Sequence, residues 1–392
     1  MFSEDVIKSV NNGSAIRAMF EKGAQLSALY GVENVFDFTL GNPDPEPDEA
    51  VLRSIETYAR TPNIHKYMAN AGYKDVRDKV AAYTAKETGV PVEGKNVLMI
   101  AGAAAGLNVV LKALLNPGEE VIAIAPYFVE YGFYTKNQGG RFKTVNAVEG
   151  TFDLDVEAIF RAITPKTKAI ILNSPNNPTG TVYPKETLQK LAAVLNDFEA
   201  KGQTIYVISD EPYIKILYDG IKVPPMLALF KNSIVVNSFS KSLALPGERI
   251  GYVVVSPAIE GADLLMDGMI ICARTLGYVN APSLFQKVIA DNLELATGVD
   301  SYKERRDVLY DILQRAGFTC RLPEGAFYLF PKSPIPDDKA FCEKALEHNL
   351  IVVSGAGFGY PGYFRLAYCV SMDCIKRSEK AWMALGKEYG LL

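Results

Sequence analysis

Three polar clusters in the middle of the chain hold side-chain types that often do covalent and acid–base chemistry. They are residues 174–180 (SPNNPTG), 210–213 (DEPY) and 238–249 (SFSKSLALPGER). A lysine amine can attack a carbonyl carbon, and a carboxylate or a phenol can hold or move a proton. Taken singly these residues are weak signals, because an aspartate there is more often a helix cap and a lone lysine is usually solvated. Each cluster, however, follows a short apolar run, which indicates one common site.

The apolar runs are typical of strands that are buried on both faces of a parallel sheet. Predicted strands cover residues 96–100, 120–125, 169–173, 205–209, 234–237 and 251–255. Helical spacing lies between them, at Val76, Val80 and Tyr83 and at Leu188, Leu191, Leu195 and Phe198. The alternation predicts an α/β fold, a three-layer large domain with a mostly parallel sheet. Its ligand should lie outside the carboxyl ends of the strands.

The last hundred residues have a different pattern, typical of a smaller α+β domain. Helices are predicted over residues 302–315 and 375–388, and short strands over 327–330, 351–354 and 364–368. We therefore divide the chain into three parts. Residues 1–45 form an N-terminal arm and part of the small domain, 46–290 the large domain, and 291–392 the small C-terminal domain.

Composition argues against several classes of protein. Lys+Arg 41 against Asp+Glu 45 gives a formal charge of −4, which argues against nucleic acid as a partner. No apolar run approaches the length of a membrane span, and the N-terminus lacks the apolar segment of a signal peptide. Five cysteines without CxxC spacing and two histidines indicate neither a disulfide framework nor a His-rich metal site. We expect a soluble cytoplasmic protein without a metal site and without a membrane partner.

The segments SPNNPTG, SDEPY and SFSKSLALPGERIGY resemble signature segments of fold-type I pyridoxal-phosphate aminotransferases, the class I/II enzymes of the aspartate aminotransferase superfamily. The resemblance runs from about Ser14 to the C-terminus, with the motifs in the expected order. It implies that pyridoxal 5'-phosphate binds in the large domain. It also implies a homodimer with shared active sites, in which Tyr67 reaches the phosphate of the neighbouring subunit's cofactor.

The resemblance assigns roles around the cofactor ring and its aldehyde. Lys241 matches the lysine that holds the aldehyde and, once displaced by substrate, carries a proton. Asp210 matches the carboxylate that pairs with the ring nitrogen and keeps it protonated. Tyr213 and Asn177 match the two partners of the ring oxygen. Phe128 matches the aromatic residue that stacks on the ring, although core packing would explain an aromatic residue there equally well.

The phosphate end is assigned in the same way. Ser238 and Arg249 match family positions, and Ala103 and Ala104 would place backbone amides at a helix N-terminus against the dianion. Family members often have serine or threonine among these small residues. The alanines keep backbone donation and lose hydroxyl donation.

The resemblance also implies a site for the substrate α-carboxylate. Arg365 matches the arginine that clamps it with a bidentate fork, although an arginine on an edge strand can instead form a surface ion pair. Gly41 matches the glycine whose backbone closes over the same group, and Asn177 contributes as well. Related enzymes use cis peptide bonds at the positions of Ala125–Pro126 and Asn177–Pro178, so we expect both here.

The implied reaction is ping-pong transfer of an amino group from an L-amino acid to a 2-oxo acid. A lyase on the same scaffold, such as one that catalyses β-elimination, would use the same residues, and a non-catalytic pyridoxal-phosphate-binding regulator is a further alternative. Aspartate with 2-oxoglutarate is the leading pair, with alanine, aromatic or broad specificity as alternatives. Ala104 stands where one branch of the family has a lysine for the distal carboxylate. Arg274 or Arg17 is the alternative cation, and either can equally be a surface charge.

Overall fold

The structure is a computed structural model and describes residues 15–392 together with residues 3, 4, 6 and 7. Its strands are β1 (Phe36–Asp37), β2 (Val97–Ile100), β3 (Glu120–Ala125), β4 (Arg141–Asn146), β5 (Thr167–Asn173), β6 (Tyr206–Asp210), β7 (Ser233–Ser238), β8 (Gly251–Val255), β9 (Tyr328–Leu329), β10 (Leu350–Ile351), β11 (Val353–Ser354) and β12 (Phe364–Ala367).

The α-helices are α1 (Ala15–Tyr30), α2 (Glu49–Ala59), α3 (Lys74–Thr88), α4 (Gly102–Leu114), α5 (Glu130–Asn137), α6 (Val156–Ala162), α7 (Lys185–Ala200), α8 (Met226–Leu229), α9 (Phe239–Ser242), α10 (Ala262–Thr275), α11 (Ser283–Asp291), α12 (Val299–Arg315), α13 (Asp338–Leu346) and α14 (Met372–Glu388). Short 3-10 helices cover Val32–Asn34, Gly94–Asn96 and Gly355–Phe358. None of the helices described is both long and apolar enough to cross a membrane.

A seven-stranded sheet forms the centre of the larger part, in the order β2-β8-β7-β6-β5-β3-β4. Strand β8 runs antiparallel to both of its neighbours, and the other neighbouring pairs are parallel. Adjacent residues of β6 are buried on opposite faces, because Ile208 packs with residues of α4 and α10 and Val207 with residues of α7. Helices therefore cover both faces, and the predicted three-layer α/β architecture is confirmed.

The smaller part contains two short sheets. β1 pairs with β10 in parallel, and β11-β12-β9 form an antiparallel sheet with β12 in the middle. One hydrophobic cluster joins Phe38, from the N-terminal segment, to Tyr302 of α12 and Trp382 of α14. This packing brings the N-terminal segment into the core of the C-terminal elements. The domain limits at residues 45 and 290 stay a prediction.

Candidate active site

The three polar clusters meet where β5, β6 and β7 end. Asn173 of β5 pairs with Asp210 of β6, and Asp210 pairs with Val236 of β7. A cavity of about 290 Å³ opens at this edge. Its lining includes all the residues assigned above to the cofactor and the substrate α-carboxylate except Tyr67: Gly41, Ala103, Ala104, Phe128, Asn177, Asp210, Tyr213, Ser238, Lys241, Arg249 and Arg365. A larger cavity, of about 570 Å³, lies between α2, α3 and α11 and contains none of them.

Lys241 lies in the single helical turn α9, directly after β7, with its amine in this cavity. Its Nζ donates a hydrogen bond of 2.5 Å to the backbone carbonyl of Gly41. Burial lowers the pKa of Lys241 to about 8, and the positive charges of Arg249 and Arg365 act in the same direction. About a tenth of this amine is therefore neutral and nucleophilic at pH 7, against well under a thousandth at the ordinary lysine pKa.

Asp210 is the last residue of β6 and is 5% exposed. Its Oδ2 accepts a hydrogen bond of 2.5 Å from the Tyr131 hydroxyl, whereas Oδ1 is buried with no partner among the described residues. Burial raises the pKa of Asp210 to about 7, against the lowering effect of the Tyr131 bond. No helix begins at Asp210, so the helix-cap alternative does not apply. An unpartnered buried carboxylate oxygen suits a ligand that brings its own N–H donor or positive charge.

Arg365 is 2% exposed and lies on β12, the middle strand of its sheet, so the edge-strand alternative is wrong. Its Nη1 donates to Asn177 Oδ1 at 3.1 Å, and Nη2 donates to the Thr39 carbonyl. Its guanidinium lies over two rings, 4.7 Å from the centroid of Tyr328 and 4.8 Å from that of Phe358. Its Nε has no hydrogen-bond partner among the described residues. None of the ion pairs among those residues includes the Arg365 guanidinium. A buried cation without an anion indicates a site for a carboxylate ligand.

A further part of the cavity wall has the donor set that suits a phosphate. Helix α4 begins at Gly102, whose φ is +81°, and Ala103 and Ala104 belong to its first turn, where backbone amides lack partners within the helix. A Cβ at Gly102 would lie 2.7 Å from Arg249 Nη2, so glycine lets the guanidinium approach the helix N-terminus. The Ser238 hydroxyl is buried at the end of β7 and lines the same cavity. A cation, a hydroxyl and helix amides together favour an anion.

The remaining predicted residues lie differently. Phe128 packs edge to face against Tyr131, with centroids 5.6 Å apart. Tyr67 is 92% exposed and lies outside the cavity of its own chain. Arg274 is exposed on α10. Arg17 lies within α1, but its side chain is outside the described residues. The Ala125–Pro126 and Asn177–Pro178 bonds are cis, which confirms that prediction, and Ser174–Pro175 is cis as well.

Sequence reasoning missed two tyrosines of the site. Tyr131 holds Asp210, and the Tyr328 hydroxyl lies 2.9 Å from that of Tyr213. A helix predicted from residue 128 onward would have placed Tyr131 one turn from Phe128. Tyr328 had no comparable signal, because its two-residue strand carries no pattern beyond being apolar.

Comparison with known proteins gives one consistent family. A family model described as aminotransferase class I and II matches residues 33–378. The chain is 33% identical to the aspartate/prephenate aminotransferase of Thermus thermophilus over 359 residues, 89% of this chain and 90% of that protein. An amino transferase structure from Eubacterium rectale superposes with a TM-score of 0.96 at 40% identity, over 99% of both chains. The aspartate aminotransferase of Thermus thermophilus with maleate superposes with a TM-score of 0.85 at 30% identity, over 95% of this chain and 97% of the other.

Proposed function

The chain belongs to the class I and II aminotransferases, and on that premise we propose that it moves an amino group from L-aspartate to 2-oxoglutarate with pyridoxal phosphate bound at Lys241. One observation carries this proposal. The buried amine of Lys241, the unpartnered oxygen of Asp210 and the unpaired guanidinium of Arg365 line a single cavity. A lone surface lysine or a structural arginine would not need the other two groups beside it.

The residues present fit pyridoxal phosphate at each of its three functional ends. The free Oδ1 of Asp210 suits the ring nitrogen, and the Lys241 amine suits the aldehyde. Arg249, Ser238 and the first amides of α4 suit the phosphate. Phe128 would pack against one face of the cofactor ring, and Tyr213 and Asn177 would hydrogen-bond to the ring oxygen. These roles agree with those that the signature segments imply.

The chemistry that bound pyridoxal phosphate supplies is capture of an amino group at its aldehyde and acceptance, in its ring, of the electron pair released at the substrate Cα. Lys241 would take up the Cα proton at Nζ and deliver it to the carbon of the former aldehyde, and a pKa near 8 suits an amine that must both accept and donate. Asp210 supplies the negative charge that favours a protonated ring nitrogen. Arg365 holds the α-carboxylate and thereby orients the Cα–H bond.

Support for aspartate comes from the relatives, since the Thermus thermophilus enzyme is named for aspartate and was solved with maleate, a dicarboxylate. Among the described residues, the cations that line the cavity are Lys241, Arg249 and Arg365. A distal carboxylate therefore needs a cation from elsewhere, and Arg274 of the partner subunit is our candidate. Because Lys241, Arg249 and Arg365 are the only cations that the described residues contribute to the lining, a second candidate function is transfer from an amino acid with an uncharged side chain such as alanine.

We further propose a homodimer and a cytoplasmic location. Tyr67 is an exposed aromatic residue and does not line the cavity of its own chain. In a homodimer it would contact the cofactor phosphate that is bound in the partner subunit. The five cysteines are free thiols, which agrees with a reducing compartment.

The direct test is a steady-state assay with purified protein, pyridoxal phosphate, L-aspartate and 2-oxoglutarate. We expect oxaloacetate and glutamate in equal amounts. Glutamate should be absent when 2-oxoglutarate is omitted. Alanine replaces aspartate in a parallel reaction to rank the two candidates. Pyruvate and ammonia formed from serine or cysteine, without any glutamate, would instead identify a lyase.

A further inference from the structure

Tyr328 lies between the two residues proposed to hold opposite parts of the reacting complex. It belongs to β9 and is 2% exposed, and its side chain lines the cavity. Its hydroxyl is 2.9 Å from the Tyr213 hydroxyl, and its ring centroid is 4.7 Å from the Arg365 guanidinium. A Cβ at Gly41 would overlap the Tyr328 hydroxyl, so the glycine leaves room for this arrangement.

The contact between the Tyr328 and Tyr213 hydroxyls determines which of the two hydrogens stays available to a ligand. Burial raises the pKa of Tyr328 to about 12 and that of Tyr213 well above its ordinary value, so both phenols keep their protons. The charged and titratable groups that act on Tyr328 are Arg365, Cys369 and Tyr213 itself. Two hydroxyls bring two hydrogens, and one of these lies between the oxygens. If Tyr328 donates, the hydrogen of Tyr213 stays available to a ligand.

The ring contact serves Arg365 in a different way. Its guanidinium lacks a carboxylate among the described residues and lies over the rings of Tyr328 and Phe358. Cation–π contact of this kind stabilises a desolvated cation without using its N–H donors. The bond to Asn177 and the bond to the Thr39 carbonyl fix the rest of the fork.

We propose that Tyr328 is a positioning residue with two separable parts: its hydroxyl aims the Tyr213 phenol at the cofactor ring oxygen, and its ring holds the Arg365 guanidinium for the substrate α-carboxylate. This role rests on the proposed function, since it acts through Tyr213 and Arg365. The two parts can be removed one at a time, because Tyr328→Phe deletes the hydroxyl and keeps the ring, while Tyr328→Met deletes both and keeps much of the volume.

The test uses the holoenzyme and two readouts. The first is the pH at which the visible absorption of the bound cofactor titrates without substrate. With Tyr328 as the donor, as we propose, loss of its hydroxyl weakens Tyr213 as a donor to the ring oxygen, so Tyr328→Phe should shift this pH upward by about half a unit to one unit. The second readout is KM for the amino acid, which should stay within about twofold in Tyr328→Phe and rise about tenfold in Tyr328→Met.

Tyr302→Phe is the matched control. The Tyr302 ring packs against Phe327, the neighbour of Tyr328, and its buried hydroxyl has no partner among the described residues. Neither readout should move in that variant. A Tyr328→Phe titration that coincides with the wild type would overturn the hydroxyl role, and equal KM values in the two Tyr328 variants would overturn the ring role. A wild-type protein that gives no visible band with pyridoxal phosphate would overturn the proposed function first, and this role with it.

Discussion

Lys241 Nζ donates a 2.5 Å hydrogen bond to the backbone carbonyl of Gly41, a residue 200 positions earlier in the chain. The bond ties the turn after β7 to the N-terminal segment that packs in the core of the smaller part. The partner of the buried amine is a neutral carbonyl oxygen. Burial is therefore the main influence on the pKa of Lys241. An amine held in this way can leave Gly41 for a ligand without breaking an ion pair.

Replacement of Lys241 by alanine should abolish turnover. The variant loses both the nucleophile and the group that moves the Cα proton, so kcat should fall by at least about a thousandfold. Lys166→Ala, at an exposed lysine, is the control and should retain wild-type kcat. Residual activity in Lys241→Ala within tenfold of the wild type would contradict the assignment.

Asp210→Asn removes a charge while keeping the shape of the side chain. The ring nitrogen would lose its anionic partner, so kcat should fall about a hundredfold to a thousandfold at saturating cofactor. Tyr131→Phe is the companion variant, because it removes the bond to Oδ2 and leaves the carboxylate. It should lower kcat far less and shift the acidic limb of the pH–rate profile upward, since the Tyr131 bond lowers the Asp210 pKa. Equal losses in both variants would argue for a structural role.

Arg365→Lys keeps the positive charge and loses the planar fork. The α-carboxylate is present in the amino acid and in the oxo acid, so KM should rise for both, by about tenfold to a hundredfold. Initial rates measured over a matrix of both substrate concentrations give the two KM values. A rise for one substrate alone would show that Arg365 does not hold the group they share.

Arg274→Ala tests the distal carboxylate. If the partner subunit supplies this arginine, KM for aspartate should rise about tenfold while KM for alanine stays the same. The comparison is internal to one variant, so a change in folding cannot mimic it. Equal effects on the two amino acids would remove Arg274 from the site and favour an uncharged side chain as substrate.

Glu211 should make the protein less stable as pH rises. It is buried beside Asp210 and accepts a 2.7 Å bond from the Ser209 hydroxyl, and burial raises its pKa to about 7. The folded state therefore binds this proton more tightly than the unfolded state, in which the pKa is about 4.3. The contribution of Glu211 to stability is fully present below a pH of about 4 and is lost as the pH rises to about 7. Over this range the free energy of unfolding falls by up to roughly 1.4 kcal/mol per pH unit because of this group.

Denaturant unfolding of Glu211→Gln at a series of pH values measures this contribution. The variant carries no titrating proton there, so its free energy of unfolding should change less with pH between about 4 and 7 than that of the wild type. Glu186→Gln, at an exposed glutamate of α7, is the control and should follow the wild-type curve. Parallel curves for Glu211→Gln and the wild type would show that Glu211 titrates normally.

The parts of the fold that the sequence predicted are those whose burial leaves a pattern. Strands β3 and β5 to β8 are almost wholly buried, and their apolar runs gave their positions to within about two residues. Strand β4, with the sequence RFKTVN, lies at the edge of the sheet and is largely exposed, so it had no such run and was missed.

The candidate site shows the same division. Asp210 and Lys241 were found because each follows an apolar strand within one motif. Tyr131 and Tyr328 act through contacts with residues 79 and 115 positions away, and no local pattern encodes such a distance.

The most direct measurement is the absorption spectrum of the purified holoenzyme mixed with L-aspartate alone, with quantification of the products. We predict a visible band that Lys241→Ala lacks, its loss on mixing with formation of one oxaloacetate per site, and its return with glutamate when 2-oxoglutarate is added. A band that persists while ammonia accumulates, or no band after incubation with pyridoxal phosphate, would contradict amino-group transfer at Lys241.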